Sequence, residues 1–367
     1  MSSEANPEML VLAREIRGLS QRELAQLTNI HQASVSRYER KLVSIPQDEL
    51  EVFAKALKFP MEFFYRKAML YDSEISEVFH RKRRSLSVAN LRRTDAILNL
   101  FRLNVEVLLE AVDAEPAYSI PDCNIKVSNL SAGEIAGLVR TVWNLPSGPI
   151  SNLTQVLEDA YVLIFAYDFG TDEIDEITQW IEPLPPIMLV NNRAPGDRLR
   201  FNIAHALGHL VMHHDLTPYE EMEKEADQFA AAFLMPQEAI KPELAPVTLE
   251  RMIQLKPKWK VSVQALIRRA LDIGEIDEKR YKSLYERISR AGYRKKEPFP
   301  LSVERPTLFT KLLRFYQTEL HYSIEEIAQL LWIHERDLEN LYSAELPPLR
   351  LVPKKNPDNK GDYKTIG

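Results

Sequence analysis

The sequence predicts a mainly α-helical protein with one small antiparallel sheet (α+β): a bundle of short helices at the N-terminus, a second domain that carries the sheet, and further helices at the C-terminus. Three observations predict it. Apolar residues recur at helical spacing over 8–66, with Leu12, Ile16, Leu24, Leu27, Val35, Tyr38, Leu50, Phe53 and Leu57 in step. Runs rich in β-branched and aromatic residues are confined to 161–169, 176–181 and 186–192. Helical periodicity returns at Asp197, holds to Arg290 and resumes from 304 to Tyr342.

A chain of 367 residues can bury a large core and favours two or three domains. Its 45% hydrophobic and 27% charged residues, with only 11 Gly and 23 Pro, fit an ordinary globular protein and exclude a low-complexity one. A formal net charge of -6 excludes a uniformly basic coat, so any nucleic-acid contact has to come from a local patch. The lone Cys123 cannot form an intramolecular disulfide, and MSSEANPEML lacks the basic-then-apolar pattern of a secretion signal. No apolar run approaches the ~20 residues of a membrane helix, so the cytoplasm is the expected location and no membrane partner is expected.

Taken in order, residues 1–67 read as the first helical domain. Residues 68–120 read as a linker with the basic cluster Arg81, Lys82, Arg83 and Arg84, followed by a long helix from Val88 to Val112 that can bridge domains or pair two chains. Residues 121–297 read as the second domain, opening on a helix over Gly133–Trp143. Residues 298–352 form a C-terminal helical segment in which SIEEIAQLLWIHERDLENLY resembles a further helix-turn-helix, and 353–367 read as a disordered tail. No internal repeat of fixed period stands out.

The first chemical motif is GLSQRELAQLTNIHQASVSRYER, 18–40. Ser20 can cap a helix with Glu23 completing a capping box, and Asn29 marks a tight turn. A second helix over Gln32–Arg40 turns Val35 and Tyr38 inward and leaves Gln32, Ala33, Ser36 and Arg37 outward. Gln can read adenine and Arg guanine through paired hydrogen bonds, while Gln21, Arg40 and Lys41 are placed to reach phosphates. Residues 9–66 resemble the helix-turn-helix of the Cro and phage-repressor type, which implies a double-stranded DNA operator and a homodimer.

The second motif is GDRLRFNIAHALGHLVMHH, 196–214. Asp197 can cap a helix on which His205 and His209 stand at i and i+4, a spacing that clamps zinc between two imidazoles. A third ligand is needed, and the helix in EKEADQFAAAFLMP offers Glu225, with Glu221 one turn earlier as the alternative. The position that a metzincin gives to a third histidine is Asp215 here.

PIMLVNN, GDRLRFNIAHALGHLVMHH, EKEADQFAAAFLMP, LAPVTLERMIQLKPKWKVSVQALIRRA and AGYRKKEP together resemble the ImmA/IrrE zinc metallopeptidase family, in the subgroup with an N-terminal helix-turn-helix. The resemblance implies a zincin-like fold over 121–297, zinc as cofactor, Glu225 as third ligand, helices from 247 to 292 along the substrate cleft, and cleavage of a protein partner such as a repressor or antitoxin. It also places a glutamate where this chain has Ala206. That glutamate takes a proton from the attacking water and passes it to the leaving amine, and a methyl group does neither. Hydrolysis is therefore expected to be silenced and zinc binding kept. With every other element intact, a substitution introduced to silence hydrolysis fits better than drift, which would erode ligands too. Two other readings stay open: a sensor whose zincin-like domain binds a ligand or partner without cutting, and a phage-defence or toxin–antitoxin component.

The remaining residues have milder expectations. His213 and His214 are expected in solvent at the helix end, and Cys123 as a small apolar filler rather than an inhibitory ligand. PIMLVNN can be core sheet or an edge for an extended substrate. Phe59, Phe63, Phe64 and Tyr65 are expected to pack at the domain junction.

Overall fold

The computed structural model describes residues 4–67, 70, 78–82, 88–112, 116–172, 174–213, 219–294 and 296–342, with the backbone alone at 78–82, 340 and 341. The basic cluster at 83–84, His214, Asp215 and the expected disordered tail lie outside the described residues, as do the side chains of Arg81 and Lys82.

The N-terminal unit runs α1 (Pro7–Ile16), α2 (Gln21–Thr28), α3 (Gln32–Glu39) and α4 (Gln47–Leu57), followed by a 3-10 turn at Met61–Tyr65. Local chemistry sets these boundaries. Asn6 caps α1, Ser20 and Glu23 form the expected capping box on α2, and Asn29 stops α2 in a left-handed conformation at φ 57. Of the aromatic series, Phe59 stacks on Phe63 at 4.2 Å, Phe59, Phe63 and Phe64 are buried and Tyr65 is half-buried.

Next come β1 (Val78–Lys82) and the long α5 (Val88–Leu109). α5 is buried along most of its length, touches α1 at one side and the sheet at the other, and so bridges modules within one chain. Then follow α6 (Ile125–Ser128), α7 (Ala132–Val142), α8 (Leu153–Asp159), β2 (Leu163–Tyr167), β3 (Ile174–Gln179) and β4 (Ile187–Asn191). The chain continues through α9 (Gly196–Met212), α10 (Met222–Leu234), α11 (Gln237–Leu244), α12 (Leu249–Trp259), α13 (Val263–Asp272) and α14 (Glu278–Arg290). It closes on α15 (Leu308–Thr318), α16 (Ile324–Leu330) and α17 (Glu335–Leu341).

The fold class is mainly helical with one small sheet, but that sheet is mixed rather than antiparallel. Its order is β1-β3-β4-β2, with β1–β3 and β3–β4 antiparallel and β2–β4 parallel. Here β3 and β4 form the hairpin, and β2 pairs with the far edge of β4 in the same direction. β4, the PIMLVNN strand, is thus flanked on both sides and offers no edge to a substrate.

The sheet separates two cores. Leu163, Phe165, Ile187 and Leu189 join one that also holds α1–α5 and α15–α17. Ile164, Met188 and Val190 join the other, with α7–α14. The C-terminal segment therefore shares its core with the N-terminal unit. No helix among the described residues is long and apolar enough to cross a membrane.

Candidate metal centre and DNA-reading face

α9 begins one residue before the expected cap. Pro195 is its N-cap, and Asp197 lies in the first turn, buried, with Lys256 Nζ donating to its Oδ2 at 2.5 Å. Gly196 is required at the start, because a Cβ there would meet Leu301 O at 2.6 Å and Ser302 O at 2.8 Å. Further along, Gly208 lets α10 approach, since a Cβ would sit 3.1 Å from the Phe229 ring. Close contact of these two helices is what brings donors from both into one place.

The two imidazoles meet as their spacing predicts: His205 Nε2 and His209 Nε2 are 3.0 Å apart and both residues are buried. The carboxylate that joins them is Glu223, at 3.4 Å from His205 Nε2 and 3.3 Å from His209 Nε2. The three donors lie within 4.8 Å of one another. Glu225, the expected ligand, is not among these three donors. Residues two apart on a helix are turned by ~200°, whereas residues four apart share a face. Glu223 and Asp227 form such an i,i+4 pair toward α9, and Asp227 Oδ1 takes His205 Nδ1 at 3.0 Å. That spacing, matched to the spacing of the histidines, was the available signal in the sequence. Glu221, the alternative ligand, is the N-cap of α10.

Glu225 has a different position. Its Oε2 lies 3.0 Å from His213 Nε2 and accepts from the Tyr219 hydroxyl. His213 is fully buried rather than in solvent, with its Nδ1 3.0 Å from His209 Nδ1. The proton positions follow from the acceptors. A carboxylate can only accept, so His213 donates from Nε2, and its Nδ1 is left to accept from His209 Nδ1. By the same logic Asp227 takes the Nδ1 proton of His205. The Nε2 atoms of His205 and His209 face the Glu223 carboxylate. Burial pushes the pKa of His209 down to about 4, against the opposing pull of Glu223, and it also lowers that of His213, so both rings are neutral near pH 7. Burial would raise Glu223, yet the His205 and His209 contacts hold it far below the ordinary carboxylate range. Two imidazole nitrogens and a carboxylate oxygen within 4.8 Å of one another are a donor set that fits a divalent ion bound by nitrogen and carboxylate, as zinc is.

Ala206 follows His205 and is fully buried with the core side chains around α9. Cys123 is not among the converging donors; burial first, and then Asp122, push its thiol pKa up. A cleft of about 880 Å³ runs from Asn202 and Asp227 past α12, α13 and α14, lined by Tyr281, Tyr285 and Tyr293. These are the helices expected to border a substrate.

On the N-terminal unit, Gln32, Ala33, Arg37 and Arg40 are exposed and Ser36 is half-buried on α3 and its C-cap. Two expected phosphate contacts are engaged within the protein. Gln21 Nε2 donates to Glu39 Oε2 at 2.8 Å, and Lys41 Nζ donates to Glu8 Oε1 at 2.5 Å. Glu39 is held by Arg14 through Nε at 2.6 Å and Nη2 at 3.0 Å, which locks α3 to α1. α3 is thus tied to α1 while Gln32, Ala33, Arg37 and Arg40 stay exposed.

Residues 10–64 match the helix-turn-helix family model, and residues 157–271 match that of the IrrE N-terminal-like domain, a metallopeptidase family. No curated protein matches the chain.

Proposed function

We propose that this chain, a helix-turn-helix joined to an IrrE-like domain, is a DNA-bound regulator whose second domain holds zinc and engages a protein partner without cutting it. The convergence of His205, His209 and Glu223 beside a methyl side chain at 206 carries this reading. Zinc bound there would supply polarisation of a carbonyl and activation of water. Asp227 and His213 orient the two imidazoles, and Glu225 orients His213. Gln32 and Arg37 supply base contacts, while Arg40 supplies a phosphate contact. The partner expected by resemblance is a repressor or antitoxin, and two chains are expected to share a palindromic operator.

Metal content tests the site. The purified protein is expected to carry about one zinc per chain, and His205→Ala, His209→Ala and Glu223→Gln to lose it. Glu225→Gln is expected to keep zinc with affinity lower by about 10–100-fold, the usual cost of losing an outer partner. Loss of zinc in Glu225→Gln with retention in Glu223→Gln would reverse the ligand assignment, and absence from the parent protein would remove the metal altogether.

DNA binding is tested separately with duplexes selected from a random library. Arg37→Ala is expected to cost about 1–3 kcal/mol and to relax preference at one base pair. Arg40→Ala should weaken all sequences alike and lower the salt slope by about one unit. An Arg37→Ala protein with unchanged affinity and preference would argue against α3 as the reader.

A further inference from the structure

Residues 308–342 repeat the fold of residues 5–39 at one constant offset, which sets Ser323 on Ser20. Buried Met9, Leu10 and Ala13 on α1 correspond to buried Leu312, Leu313 and Tyr316 on α15. Gly18, at φ 68, corresponds to His321, at φ 60. The capping box Ser20–Glu23 corresponds to Ser323–Glu326. Buried Leu24, Ala25 and Val35 correspond to Ile327, Ala328 and Leu338. Left-handed Asn29, at φ 57, corresponds to Trp332, at φ 53, and the N-caps His31 and His334 also coincide. Positive φ is uncommon outside glycine, so its recurrence twice at one offset is not a by-product of two amphipathic helices.

The surface chemistry has diverged. Where the first unit has Gln32, Ala33 and Ser36, the second has Glu335, Arg336 and Glu339; where the first has Gln21, the second has Ile324. Exposed carboxylates at Glu335 and Glu339 would meet a phosphate backbone with repulsion. The second unit also faces the first. Asp337 accepts from Arg17 Nη2 at 3.2 Å, and the Arg66 guanidinium lies 4.1 Å above the Trp332 ring. Tyr342 is buried, accepts from Asn104 Nδ2 at 2.6 Å and stacks on Phe309 at 4.3 Å. Phe59, Phe63 and Phe64 of the N-terminal unit share one core with Phe309, Leu313 and Leu338.

We propose that residues 308–342 are a second helix-turn-helix that has exchanged DNA reading for protein binding. Its partner is the first helix-turn-helix of the same chain, so each chain presents one DNA-reading head. The assignment of one head rests on the DNA-binding reading above; the contact between the units does not.

Footprinting and mass photometry of the full chain on duplexes selected from a random library test the single head. One bound chain is expected to protect one half-site. Glu335→Gln and Glu339→Gln are expected to change affinity less than about twofold, whereas Arg37→Ala lowers it about tenfold or more. Two half-sites protected by one chain, or strong loss on Glu335→Gln, would overturn the proposal. The contact is tested by charge reversal in thermal unfolding. Arg17→Glu and Asp337→Arg each lower the midpoint, and the double variant unfolds at a higher temperature than Arg17→Glu alone because opposite charges are restored. A double variant no more stable than that single would exclude the contact. If no duplex is selected, the DNA-binding reading fails while the charge reversal still decides the partnership.

Discussion

Ala206→Glu is expected to confer peptide hydrolysis that the parent chain is proposed to lack. The substitution restores a carboxylate beside His205, where it can take a proton from the attacking water and return it to the leaving amine. Positioned proton transfer of this kind contributes about 10²–10⁴-fold to rate. Zinc content should not change, because residue 206 is not a donor. Single-turnover cleavage of proteins encoded beside this chain, followed by mass spectrometry, measures it. Because Ala206 is fully buried, the outcome is read only after thermal unfolding confirms that the glutamate variant is folded. A folded, zinc-loaded glutamate variant that binds a partner and leaves it intact would favour a sensor over a silenced peptidase.

Phe229→Ala is expected to have the largest effect on stability, about 3–5 kcal/mol, or roughly a hundred-fold to several thousand-fold in the folding equilibrium. The ring is fully buried, lies against Gly208 and stacks on Phe233 at 5.5 Å with an interplanar angle of 11°. It is the side chain on which α10 rests against α9. Its removal should also loosen Glu223, so zinc affinity should fall although no donor is altered. Urea unfolding and a competitive zinc titration give the two numbers. A loss below about 1 kcal/mol would mean that the helices close over the cavity and that Gly208 is not the contact that sets their spacing.

Much of the fold was legible where one periodicity dominated. The capping box at Ser20 and Glu23, the turn at Asn29 and the inward pair Val35 and Tyr38 were readable because helix chemistry is local. The histidine pair was readable for the same reason. The carboxylate that converges on them was not, because which glutamate of α10 turns toward the pair depends on the rotation of α10 about its axis, where Phe229 packs on Gly208. His213 was misjudged because a helix end reads as exposed unless the element covering it is known. Here Glu225 and Tyr219 cover it. The parallel pairing of β2 with β4 was hidden too, since strand order is a tertiary property. The helix-turn-helix character of 323–342 was legible, but the repeat of 5–39 at one offset was not, because the matched left-handed residues at 321 and 332 needed backbone angles.

The alternation along β4 has a consequence for how the chain folds. Ile187 and Leu189 point into one core, Met188 and Val190 into the other, so a single five-residue strand is shared masonry for both halves of the molecule. A slip of one residue against β3 would exchange every one of these side chains between halves. Neither half can finish assembling while the strand is out of place, which ties the helix-turn-helix end and the IrrE-like end into one cooperative folding unit.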